Sequence, residues 1–265
     1  MNSWNGIQPS RRTWQPCSKS CTVPPDDWIT PDWPVPANVR ALVTTRNGGV
    51  SAAPYASLNL GDHVGDDPQT VLRNRAILRE SLPAEPLWLK QVHSTAVAEA
   101  GTACGVPEAD ASIARQAHQV CAVLTADCLP VLLCDRTGCV AAAVHAGWRG
   151  LAAGVIEQTV ANMGTPPEKL LAWLGPAIGP QAFEVGAEVR QIFLAGNPAC
   201  AGAFVPHGTG KYLADIYQLA RLSLAGCGVT AVYGGEYCTF RDRERFFSYR
   251  RDPTTGRMAS LIWLT

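Results

Sequence analysis

The stretch CAVLTADCLPVLLCDRTGCVAAAVHAGWRG, residues 121–150, decides the fold. It contains three apolar runs, CAVLTADC (121–128), PVLLCD (130–135) and CVAAAVHA (139–146), each of strand length and separated by turn residues. Continuous runs of this kind suit buried strands. After Gly150 the pattern changes period, and Leu151, Val155, Ile156, Val160 and Met163 fall along one helical stripe. Further strands are expected at 39–45, 86–94, 170–175, 231–240, 246–251 and 258–264. Helices are expected from Asp67-Pro68 through residue 82, over 187–196, and over 212–226, the last with Leu213, Ile216, Tyr217, Ala220 and Leu224 on one face. Strands and helices mix without a regular βαβ alternation. The expectation is therefore an α/β layered sandwich with mixed β-sheets rather than a doubly wound parallel sheet.

Composition narrows the classes. With 265 residues, 47% hydrophobic and 17% charged, the chain can bury a substantial core. Basic and acidic residues balance at 22 each, so no global field draws it to nucleic acid or to anionic lipid. No apolar run is long enough to span a bilayer. The first residues lack the apolar core of a secretion signal, and ten cysteines without one read as reduced thiols in a cytoplasm. Residues 1–36, with VPPDDWITPDWPVP at 23–36, read as a flexible extension or a surface-hugging arm, and 37–265 as a single catalytic domain. Cys17 and Cys21 lie in that extension and do not form a paired zinc framework. The expected assembly is a monomer or a homodimer.

Three residues carry the chemistry. His93 closes LWLKQVHS, Cys128 closes AVLTADC and His145 closes VAAAVHA, each at the end of an expected strand. Neighbouring strand ends converge, so the three can share one mouth. His, Cys and His form a sound zinc set with a fourth position open. From residue types alone, a Cys–His nucleophilic pair and unrelated core residues remain alternatives. A long polar loop, residues 46–67, precedes the first helix and includes His63.

The ordered motifs TTRNGGVS (44–51), SLNLGDHVGDD (57–67), NR (74–75), WLKQVHS (88–94), ADASI (109–113), LTADCLPVLLCD (124–135), AAVHAGWRGLAAGVIEQTV (142–160), LGPAIGPQAFEVG (174–186), KYLADIYQLA (211–220) and FFSYRRDPTTGRMASLIWL (246–264) resemble those of the YfiH family. That family was first called a multicopper polyphenol oxidase or laccase domain. It was later linked to purine nucleoside phosphorylase and adenosine deaminase activity and to peptidoglycan editing. The resemblance covers roughly 37–265. It implies a fold related to the cysteine-hydrolase domain of a cytotoxic necrotizing factor. It also implies that His93, Cys128 and His145 are catalytic metal ligands. Arg46, Asn59 and Arg75 lie in matching motifs on the implied substrate side, with Arg75 expected to hold phosphate. Trp148 and Arg149 are expected to brace or line the pocket. Asp127 is expected to orient a ligand, move a proton or cap, while His118 and His207 read as surface residues.

The expected function is a zinc-dependent purine nucleoside phosphorylase, with purine nucleosides and phosphate as partners and adenosine deaminase activity as an extension. The H-x-E/P-C-x-x-C signature of zinc deaminases is absent. Alternatives are an amide hydrolase editing peptidoglycan precursors, a copper-binding polyphenol oxidase and a non-enzymatic metal-binding protein. Five histidines are too few for several coppers, and a single His₂Cys copper would look to Met163 or Met258 as its thioether.

Overall fold

The structure, a computed structural model, describes residues 27–103 and 105–265. Cys17 and Cys21, and most of the expected extension, lie outside the described residues. A six-stranded sheet forms the centre, in the order β12 (Ala231–Gly234), β8 (Leu170–Leu174), β6 (Leu129–Asp135), β7 (Ala141–Ala146), β4 (Ala111–Ala114) and β3 (Val97–Glu99). A four-stranded sheet packs on it, in the order β1 (Val39–Val43), β13 (Met258–Leu264), β5 (Val120–Thr125) and β2 (Pro86–Leu87). Both sheets are mixed: β6 runs antiparallel to β7 and β8, whereas β8–β12, β3–β4 and β2–β5 are parallel. A small third sheet holds β10 (Phe204–Pro206), β11 (Lys211–Ala214) and β9 (Glu184–Gly186).

Side-chain parity explains the apolar runs. On β6, Leu129, Val131 and Leu133 pack toward the helical layer, while Leu132 and Cys134 pack between the sheets. On β7, Ala142, Val144 and Ala146 take the helical side and Ala141 and Ala143 the other. Strands buried on both faces have no polar side to alternate with. His145 shares parity with Ala141 and Ala143, so it enters the space between the sheets at the strand's end. The helical layer contains α2 (Trp148–Ala153), α3 (Val155–Met163), α4 (Ala187–Gly196) and α5 (Ile216–Gly226). The α1 helix (Pro68–Arg79) starts on an Asp67 cap that accepts from the Thr70 amide, and buries Leu78 with Leu58 and Leu60 against the outer face of the four-stranded sheet.

Several expected elements differ. The stripe after Gly150 is buried as expected, but Gly154, in the left-handed region at φ 97°, divides it into α2 and α3. Residues 212–226 begin as β11 and turn helical only after Asp215, whose side chain accepts from the Gln218 amide. The strand expected over 86–94 is two residues long, and His93 sits in a loop at φ 62°. The one expected over 231–240 stops at Gly234, where two successive glycines take positive φ. Residues 246–251 form no strand; Phe246 and Phe247 are buried in a loop, where the Arg251 guanidinium donates to the carbonyls of Thr239, Phe240 and Phe246.

The boundary at 36 also falls inside the packed domain. Trp28, Ile29 and Trp33 are buried, and Ile29 bridges Val43 of β1. Removing residues 1–36 is therefore expected to destabilise the fold by several kcal/mol, on the order of 1.5–3 kcal/mol per large apolar side chain lost from the core. Urea unfolding of that truncation beside one that removes only 1–26 tests this. Equal midpoints for the two would show that residues 27–36 contribute nothing.

Candidate active site

Asp110 organises the site from a fully buried position just before β4. One carboxylate oxygen, Oδ2, accepts from the amides of Val92 (3.2 Å) and Ser94 (2.6 Å) and from the Ser94 hydroxyl (2.9 Å). The other, Oδ1, accepts from the His93 amide (3.0 Å) and from His145 Nδ1 (2.8 Å). Three consecutive amides turned onto one carboxylate explain how His93 is held in the left-handed region outside any strand. The same carboxylate fixes the ring of His145, which leaves Nε2 for the site.

Cys128 enters between β5 and β6 through a turn at Asp127, whose φ is 93°. Its Sγ lies 3.6 Å from His93 Nε2, and one donor atom from each of His93, Cys128 and His145 lies within 4.8 Å of the others. Gly147 closes the cluster: a Cβ there would stand 2.5 Å from His93 Cδ2 and 3.0 Å from Cys128 Sγ. A side chain at 147 would push the trio apart.

The electrostatics follow from this packing. Burial opposes the Asp110 charge, but bonds from His145 and Ser94 outweigh it and bring its pKa down to about 2. Burial likewise opposes ionisation of Cys128 and His145, yet each charge favours the other, lowering the thiol and raising the imidazole. A thiolate, two imidazoles and a carboxylate behind one of them match the donor chemistry of a zinc site. The trio thus fits the metal that the sequence leads one to expect.

The trio opens on a cavity of about 570 Å³. Ile178, Phe183 and Ile216 supply apolar wall, and His63, Trp148, Arg149, Tyr249, Arg250 and Arg257 also line it. Asp127 is the carboxylate among the described lining residues, and it is engaged: Oδ1 accepts from the Thr239 hydroxyl (2.6 Å) and Oδ2 from the Arg250 amide (2.7 Å).

The residues expected on the substrate side divide. Arg149 lines the cavity, with its guanidinium over the Trp148 ring. Arg46, Asn59 and Arg75 are not among the lining residues. Arg46 donates to the carbonyls of Ala56 and Arg243 and lies over Phe247. Asn59 is fully buried in a network with Gly61, Asp66 and the Arg257 amide. Arg75, 16% exposed, donates to the Leu60 carbonyl, pairs with Asp62 at 3.2 Å and stacks on Trp88. Those contacts occupy its guanidinium outside the cavity lining.

His118 and His207 are exposed. Met163 lies in the helical-side core and Met258 between the sheets, where its sulfur accepts from the Phe247 amide; neither lines the cavity. Asp110, Gly147, Arg250 and Arg257 were not singled out by sequence. Each sits in a quoted motif, but motif membership does not say which side chain turns inward.

Comparison with known proteins shows the chain's family. Residues 40–265 match the family model described as multi-copper polyphenol oxidoreductase laccase. A Pseudomonas aeruginosa protein named purine nucleoside phosphorylase is 58% identical over 238 residues, covering 89% of this chain and 98% of the relative. The Escherichia coli K12 protein named purine nucleoside phosphorylase YfiH is 56% identical over 239 residues, with the same coverage, 89% and 98%. Among solved structures, a Neisseria meningitidis protein superposes with a TM-score of 0.87 at 57% identity, covering 89% of this chain and 98% of that one. The YfiH protein of Bacillus licheniformis gives a TM-score of 0.80 at 28% identity, covering 86% and 93%. This chain belongs to the YfiH family.

Proposed function

We propose that the chain is a zinc-dependent purine nucleoside phosphorylase acting on adenosine or inosine. The observation that carries this reading is the composition of one cavity. A His/Cys/His donor set, an apolar wall and several guanidinium groups face the same space. The apolar wall suits a flat purine and the guanidiniums suit phosphate. A phosphate oxygen forms a bond to ribose C1′ as the C1′–N9 bond breaks. The electron pair of that bond leaves with the purine, which then takes up a proton. His93, Cys128 and His145 would hold the zinc, which would supply Lewis acidity toward developing negative charge. Asp110 keeps His145 oriented, and Ile178, Phe183 and Ile216 limit water around the base. Adenosine deamination would need a group to shuttle protons to the leaving amine, and the cavity's Asp127 carboxylate is already engaged by Thr239 and Arg250. That favours phosphorolysis as the main reaction.

One observation favours a second reading. Cys128, His145 and Asp110 follow one another as thiol, imidazole and buried carboxylate, the order of groups in a nucleophilic hydrolase. Such a protein would cleave an amide, as in a cell-wall precursor. Occupied zinc separates the two, because a metal-bound thiolate is a poor nucleophile. Chromatographic base release from inosine, measured against phosphate concentration beside amide hydrolysis, is the deciding experiment. The expected result is hypoxanthine release that requires phosphate and yields ribose 1-phosphate. Release without phosphate, or amide hydrolysis faster than base release, would overturn the reading.

A further inference from the structure

Three arginines line the cavity, and they are not equivalent. Arg250 is committed, since its guanidinium donates to the Glu184 carbonyl at 2.9 Å and lies over the Phe183 ring. Arg149 is exposed and rests on Trp148. Arg257 also lies over a ring, that of Tyr249 at 5.9 Å, but its fork keeps donors free. It is half-buried, and Nη1 donates to the carbonyls of Thr255 (3.1 Å) and Gly256 (3.0 Å). Among the described residues, Nε and Nη2 have no acceptor and no carboxylate forms a salt bridge with it. The negative charges of Cys128 and Asp127 nonetheless lie near enough to favour its charge.

The backbone beneath Arg257 is fixed unusually well. Its amide donates to Asn59 Oδ1 at 3.0 Å, and its carbonyl accepts from the Leu60 amide at 3.2 Å. Asn59 is itself fully buried, its amide group donating to the Gly61 carbonyl and to Asp66. Gly61 leaves room for the stem: a Cβ there would come within 2.8 Å of Arg257 Cγ. A partly desolvated guanidinium with free N–H groups is costly unless an anion completes it. Its rigid fork suits the oxygens of a tetrahedral oxyanion, and low local dielectric strengthens the contact.

We infer that Arg257 is the anchor for inorganic phosphate in this cavity, and that Asn59 acts through it as a positioning residue. This rests on the phosphorylase reading, and it transfers the phosphate role expected of Arg75 to a residue that faces the trio. Asn59 keeps its link to substrate, one step removed.

The test uses the zinc-loaded full chain and follows phosphate KM, inosine KM and inorganic phosphate binding by phosphorus NMR line broadening. Arg257→Lys keeps the charge but loses the fork. It is expected to raise phosphate KM about tenfold or more, with inosine KM within about twofold and zinc content unchanged. Asn59→Asp keeps an acceptor for the Arg257 amide but sets a carboxylate against Asp66 and the Gly61 carbonyl. It should raise phosphate KM by displacing Arg257, though less than Arg257→Lys, with inosine KM unchanged. Arg75→Ala should leave phosphate KM unchanged. If Arg257→Ala fails to fold, the lysine variant decides.

An unchanged phosphate KM in a folded Arg257→Lys, while the wild type still needs phosphate, overturns the inference and leaves the phosphorylase reading standing. Phosphate-independent base release by the wild type overturns that reading instead, and line broadening lost in Arg257→Lys would then still support the anion site. A variant that loses affinity for adenosine monophosphate but not for inorganic phosphate assigns the pocket to an ester phosphate and overturns the inference.

Discussion

Cys128→Ser is expected to yield a folded protein that purifies without stoichiometric zinc and turns over nucleoside at least ~10³-fold more slowly, more than the 10–100-fold that loss of an outer partner costs. The substitution is nearly isosteric, so the turn at Asp127 and the start of β6 should persist. A serine hydroxyl is a far weaker zinc donor than a thiolate. It also removes the negative charge that opposes the cost of burying a protonated His145. Elemental analysis and circular dichroism on the same preparation separate metal loss from misfolding. Stoichiometric zinc with lost turnover would make Cys128 the nucleophile and promote the amide hydrolase. Full activity without metal would remove the centre from either mechanism.

The layered sandwich was legible because its signals are local. The runs within 121–146 are apolar on both faces, and the helix start at Asp67-Pro68 combines a capping carboxylate with a proline that needs no amide partner. The trio was legible for a related reason: Cys128 and His145 lie at or just beyond the ends of β5 and β7, which the chain itself marks. His93 was placed correctly in space but for the wrong cause. Its loop is held by Asp110, seventeen residues away, and no pattern within 86–94 announces that bond.

Side-chain direction was the least legible property. Arg75 and Arg257 both lie in motifs of the family, yet Trp88, Leu60 and Asp62 engage the first outside the cavity lining while Asn59 and Gly61 seat the second in the cavity. Residues 246–251 misled for a similar reason. Buried aromatics have strand composition, but here the Arg251 guanidinium, rather than a neighbouring strand, takes up backbone carbonyls of the loop.

Asp110→Asn carries a large expected loss of stability for a single substitution, because one buried carboxylate receives bonds that hold both histidines. The five donors converge on two oxygens, and both oxygens are in use. An asparagine keeps one acceptor atom and turns a donating amino group toward N–H groups that also donate. At least one buried amide or the His145 Nδ1 is then left without an acceptor. Removing one partner from a buried charged network costs about 3–5 kcal/mol, well above an ordinary core substitution. Zinc affinity should fall with it by about 10–100-fold, since His145 loses the carboxylate that fixes its ring. The measurements are urea unfolding of the apo protein and zinc competition against a chelator. A fall in stability with unchanged zinc affinity would make Asp110 a loop brace only. Wild-type values in both would mean that the His93 loop and the His145 ring are held by something other than this carboxylate.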